Sequence, residues 1–152
     1  MKIEYNNLYT HFIFTTLHRL PVISEKNRER IEKYITGIVN NNNSQLYAIY
    51  ANPEHVHFLV SRTPELSEEI LASVIAESSQ KFINQNKLCG NQFAWQESAS
   101  AFSVSKADVD RVCKYILSVS KKTMNSLLAK GFKFIFVANN LSTWCEYRLC
   151  RP

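Results

Sequence analysis

The sequence predicts an α+β fold: a ferredoxin-like or RRM-like split βαβ antiparallel sheet, helices on one face, and an extra C-terminal helix carrying a tyrosine. Three observations lead there. Runs rich in β-branched and aromatic residues alternate with helical-period stretches in the order β-α-β-β-α-β. The second and third strand-like runs are separated only by Asn52-Pro53-Glu54, a turn signal that makes them a hairpin. The 152 residues suffice for one domain with a real core, and 3 Gly and 4 Pro leave no evident linker, so a single domain over residues 1–152 is expected.

Each element has its own justification. Tyr9–Leu17 mixes aromatic and β-branched residues and reads as the first strand. After the loop "HRLPVI", Ser24 reads as a helix N-cap, and Ile31, Ile35, Ile38 and Val39 recur at helical spacing. The run Asn40–Asn43 reads as a loop. Ser44–Ala51 is the second strand and His55–Val60 the third. Ser67 caps a second helix, with Glu68 and Glu69 placed where the helix dipole favours acid. Ile70, Leu71, Val74, Ile75, Ser78 and Phe82 mark its apolar face. A fourth strand lies near Ala101–Val104. Ser105 then caps a third helix, with Asp108 at the capping-box position and Val109, Val112, Cys113, Ile116 and Val119 on one side. This helix is expected to run to about residue 129. Phe132–Ala138 reads as a late strand.

The net charge of +5 and pI near 9.1 favour a polyanionic partner such as nucleic acid, though weakly on their own. No apolar run approaches the ~20 residues of a membrane span. The opening "MKIEYNNLYT" lacks the apolar segment of a signal peptide, so a cytoplasmic location is expected. Cys89, Cys113, Cys145 and Cys150 form no C-x-x-C pair and read as free thiols, with a Cys145–Cys150 pairing left open.

The candidate chemistry begins at "PEHVHFLV". In a strand, residues i and i+2 share a face. Val56, Phe58 and Val60 suit the helix-covered core, which places His55 and His57 together on the opposite face, roughly 7 Å apart at Cα. Imidazoles at that spacing can converge on a divalent ion, although a lone H-x-H is more often two exposed histidines on a sheet. Tyr115 lies beside the apolar line of the third helix. It is either a tyrosine on the shoulder of a packed helix or a nucleophile needing a base or nearby positive charge. Arg111, Lys114, Lys121 and Lys122 share that helix and can contact phosphates or simply form a solvated face. Arg19, in the loop after the first strand, is a further candidate phosphate contact, as is His18. His11, Trp95 and Phe102 read as packing residues.

Taken in order, "YTHFIFTTLHRLPVI", "HVH", "ESSQKFIN", "WQ" followed by "AFSVS", and "KYI" resemble the IS200/IS605-type single-strand DNA transposases, to which the REP-associated tyrosine transposases are close relatives. The resemblance runs to about Ser118. It implies a one-tyrosine, His-hydrophobe-His (HUH) enzyme. His55 and His57 would hold Mg or Mn, and Tyr115 would form a 5′-phosphotyrosine link to single-stranded DNA bearing hairpins. It also implies a homodimer, with DNA held by Arg19, Arg111, Lys114, Lys121 and Lys122. The chain departs from the family pattern at Val119, where a metal-ligating Gln is usual, and at Ser98-Ala99-Ser100, where a Gly-Tyr-Gly-like stretch is usual. Glu97, Asp108 or Asp110 are the carboxylates available to replace the lost ligand. A catalytically impaired homologue that binds DNA hairpins is therefore the alternative reading, and an unrelated ferredoxin-like protein the third.

Overall fold

A computed structural model describes residues 1, 3, 5–90 and 92–126, with side chains described up to residue 118. The side chains of Val119, Lys121 and Lys122, the late strand Phe132–Ala138, and Cys145 and Cys150 lie outside the described residues. Met1–Ser120 form one compact unit and Lys121–Pro152 a second. The sheet belongs to the first.

The elements follow as β1 (Tyr9–Thr15), α1 (Glu25–Asn41), β2 (Gln45–Ala51), β3 (His55–Ser61), α2 (Glu68–Gln85), β4 (Ser100–Val104) and α3 (Val109–Ser126). The four strands form one sheet in the order β2-β3-β1-β4, with every neighbouring pair antiparallel. This is the split βαβ arrangement that the sequence pattern implies.

One face of the sheet carries Phe12, Phe14, Val56, Phe58 and Val60. These pack with Ile31, Ile35 and Val39 of α1 and Leu71, Ile75 and Ile83 of α2. Phe12 and Phe58 stack with ring centroids 5.2 Å apart, as their pairing in the β1–β3 register requires. The two helices meet partly through Tyr34 and Phe82, whose rings stack at 3.8 Å. The buried face of α2 is Leu71, Ile75, Ser79 and Ile83. It is rotated by about one position from the expected stripe, so Ile70 stands 52% exposed. Ser79 is tolerated there because its hydroxyl accepts the Trp95 indole N–H at 2.9 Å.

The opposite face, which the split βαβ pattern leaves uncovered, is crossed by α3. Leu59 and Ala48 on that face are buried, and so are Val109, Val112 and Ile116 of α3, yet none of them belongs to the core beneath α1 and α2. Tyr115 of α3 packs on that face against His11 and His57.

Helix starts bear out the reading once and correct it twice. Ser67 caps α2 by accepting the Ile70 N–H at 3.2 Å. Ser24 has the extended backbone of an N-cap, but its hydroxyl makes no capping bond. Ser105 donates instead to the Asp108 carboxylate at 2.7 Å, and a 3-10 turn, Lys106–Asp108, precedes α3. Helix α1 also runs into the asparagine run as far as Asn41, with Asn43 turning the chain at φ 52°.

Candidate functional site

The site forms where the β2–β3 turn, the loop after β1 and helix α3 meet the uncovered face. Its local geometry follows from a few hydrogen bonds. The Asn52 N–H donates to the His55 carbonyl at 2.8 Å, closing the Asn52-Pro53-Glu54-His55 turn. Thr16 is fully buried. Its N–H donates to the Glu54 carbonyl at 2.9 Å, and its hydroxyl lies 2.7 Å from the Leu20 carbonyl and 3.0 Å from that of Glu54. The turn bearing His55 is thereby tied to the loop bearing Arg19. His18 and Arg19 both adopt φ 55°. Left-handed backbone at non-glycine residues costs about 1–3 kcal/mol each and concentrates at functional loops.

His55 and His57 do share one face, with ring centroids 4.8 Å apart. A third imidazole joins them. His11 on β1 stacks beside His57 at 5.3 Å, and its Nε2 lies 3.1 Å from His57 Nδ1. His11 is thus part of the cluster and not merely packing. The β1–β3 register explains how: His57 lies opposite Ile13 and His11 opposite Leu59, so the two histidines are diagonal neighbours on one face.

Tyr115 stands over this cluster. Its ring lies 6.0 Å from that of His57 and 6.4 Å from that of His11, edge-on to both. Phe102 of β4, paired with His11, flanks the group at 6.2 Å from the His11 ring. The tyrosine and the histidines of a single chain therefore already meet.

Burial keeps the imidazoles neutral. His11 and His55 are pushed down to about 4, in both cases chiefly by desolvation, with the Arg19 charge adding to the effect at His55. His57 falls well below its ordinary value through burial and then through its two histidine neighbours. Neutral imidazole is the form that ligates metal. Arg19 sits in the loop that Thr16 ties to the His55 turn.

The remaining basic candidates divide. Arg111 is half-exposed and pairs with Asp108 at 2.6 Å, while Lys114 is exposed. The carboxylates expected to replace a missing ligand do not gather here. Glu97 lines a cleft of about 430 Å³ with Glu68, Glu69, Phe12 and Ala101, on the α2 side of the sheet. Asp108 is engaged by Ser105 and Arg111, and Asp110 is exposed. Among the described residues no group of three or more His, Cys, Asp or Glu is placed to hold a metal ion. The side chain of Asn52 is buried at the same place, its Nδ2 3.1 Å from His55 Nε2. Sequence reasoning missed His11 and Asn52; the only available signal was that both are polar residues in or beside apolar strands.

Among the described residues no helix is long and apolar enough to cross a membrane. A search of curated proteins returns no match. Among solved structures, a candidate transposase of Deinococcus radiodurans R1 is similar, with 21% identity, 78% of this chain and 95% of that chain covered, and a TM-score of 0.58. A REP-associated tyrosine transposase bound to a REP hairpin is similar over 81% of this chain and 73% of its own, with 14% identity and a TM-score of 0.59. At those identities the likeness concerns the fold. The family model for IS200-like transposases matches residues 4–118, a span holding the whole sheet, the histidines and Tyr115. The chain belongs to the IS200-like transposase family.

Proposed function

We propose that this chain cleaves and rejoins single-stranded DNA through a tyrosine–DNA intermediate. The observation that carries the reading is Tyr115 set against a buried, neutral histidine pair within one chain, its ring 6.0 Å from that of His57. His55 and His57 would hold Mg or Mn; such an ion would supply Lewis-acid polarisation of the scissile phosphate. Everything else falls to the protein's own groups. Arg19, beside His55, attracts the phosphate by charge and hydrogen bonding. The edge-on packing of Tyr115 against His57 and His11 orients the phenol. In the cleavage step the phenol loses its proton and its oxygen bonds to phosphorus. The bond from phosphorus to the 3′-oxygen breaks, and that oxygen takes up a proton. The product is a 5′-phosphotyrosine and a free 3′-hydroxyl. Because the ester keeps the bond energy, the reverse attack rejoins strands without a nucleotide cofactor.

The ligand of the hairpin-bound neighbour supports DNA hairpins as the substrate. Arg111, Lys114, Lys121 and Lys122 would add phosphate contacts along α3. In a homodimer, each subunit would carry its tyrosine and histidines in cis.

One feature of the sequence favours a second reading, a hairpin-binding homologue with impaired chemistry: Val119 stands where the family usually has a metal-ligating Gln. A cleavage assay separates the two. Hairpin-bearing single strands from both flanks of the protein's own gene are incubated with Mn and the wild-type, Tyr115→Phe or His57→Ala protein. Cleavage by the wild type alone, with binding kept in Tyr115→Phe, supports the enzyme. Tight, salt-sensitive binding without cleavage supports the binder.

A further inference from the structure

Asn52 is 2% exposed, and a buried amide is costly unless a polar partner repays its desolvation. One such partner is His55: the amide nitrogen Nδ2 lies 3.1 Å from the ring Nε2. The turn fixes this pairing from both sides, since the Asn52 N–H donates to the His55 carbonyl at 2.8 Å and only Pro53 and Glu54 lie between. A half-turn of the amide exchanges its oxygen and nitrogen at almost no change in shape. With Oδ1 turned toward the ring, the protein presents an oxygen and an imidazole nitrogen about 3 Å apart.

That spacing has a chemical meaning. Ligands at about 2.0–2.1 Å from an octahedral Mg ion, on adjacent vertices, are separated by √2 times that length, or about 2.8–3.0 Å. The Asn52–His55 contact, at 3.1 Å, is within a few tenths of an ångström of one edge of a Mg coordination octahedron. Hard cations also demand oxygen donors, and the two histidines provide only nitrogen. The nearest carboxylate, Glu54, lies 3.6 Å from His55 Nδ1, the ring nitrogen other than the one Asn52 meets; Glu97, Asp108 and Asp110 lie on the other sheet face, in other pairs, or in solvent.

We infer that Asn52, through Oδ1, is the protein's oxygen ligand at the His55–His57 site. The inference rests on the reading of that pair as a metal site, and its test separates the two claims. Mn is titrated into the full-length protein without DNA and followed by the loss of the free-ion electron paramagnetic resonance signal. The variants are His57→Ala, Asn52→Leu and Asn52→Asp.

Weakening by His57→Ala establishes the site. Asn52→Leu should then weaken Mn binding by about tenfold or more, while Asn52→Asp should bind at least as tightly as the wild type, since it keeps the oxygen and adds a charge. Wild-type affinity in Asn52→Leu would overturn the inference. So would weak binding in Asn52→Asp, because an amide that merely donates a hydrogen bond to Nε2 loses that donor on becoming a carboxylate. Equal Mn affinity in His57→Ala and wild type would remove the metal reading itself, and the inference with it. Thermal melting of each variant checks folding; if Asn52→Leu does not fold, the comparison of Asn52→Asp with wild type decides alone.

Discussion

Taking the metal-free protein from pH 6 to pH 5 should remove a large part of its stability, and the cause is the histidine cluster. Burial holds His11 and His55 down at about 4 in the folded protein, from an ordinary value of 6.5, and His57 lies well below that value too. In the unfolded chain all three titrate near 6.5. Between roughly pH 6.5 and 4 the unfolded state thus binds protons that the folded state does not, so stability rises with pH. The contribution is fully present above the unfolded value and is lost as pH falls toward the folded one. Each ring held neutral contributes a limiting slope of about 1.4 kcal/mol per pH unit. Three rings together approach about 4 kcal/mol per unit, against a total stability on the order of 5–15 kcal/mol for a domain. The assay is urea unfolding in EDTA at pH 7, 6.5, 6 and 5, followed by tryptophan fluorescence, to which the buried Trp95 contributes. The midpoint should change little between pH 7 and 6.5 and then fall steeply. His11→Gln should flatten the slope by about a third. A midpoint independent of pH between 7 and 5, at constant m-value, would refute the picture of three buried neutral imidazoles.

Other expectations follow from single contacts. Phe58→Ala empties the centre of the sheet's core face, where Phe58 packs on Phe12 and Phe14; it should cost about 3–5 kcal/mol in chemical denaturation. Ser79→Ala leaves the buried Trp95 N–H unpaired and should cost about 1–3 kcal/mol, whereas a neutral result would place the indole donor elsewhere. Arg19→Ala should weaken binding to hairpin DNA and lower the salt dependence by about one counterion; an unchanged salt slope would exclude a phosphate contact at this residue.

How much of this was legible in the sequence depends on range. Strand periodicity assigned Val56, Phe58 and Val60 to the core and His55 and His57 to the other face, because alternation is a property of the backbone itself. It could not reveal that His11 joins them, since its partner is 46 positions away and only strand register brings the two together. Asn52 was hidden for a different reason. Asn-Pro reads as turn chemistry, and nothing local says that the side chain turns inward. The stripe on α2 was misjudged by one position because Ile70 is apolar while Ser79 is not. The Ser79–Trp95 hydrogen bond, which makes the polar residue the buried one, is again a long-range fact. Ser24 and Ser105 have the right residue type and backbone for caps, but neither hydroxyl accepts a helix N–H, and that of Ser105 donates to Asp108.

The central claim is that Tyr115 is a nucleophile toward DNA and not a packing residue on α3. The most direct measurement is intact-protein and peptide mass spectrometry after incubation with Mn and hairpin-bearing single strands from the gene's flanks. The account predicts a covalent protein–DNA species whose nuclease-trimmed remnant maps to the peptide containing Tyr115 and is absent in Tyr115→Phe. A remnant on another residue, or an adduct that survives Tyr115→Phe, would contradict it.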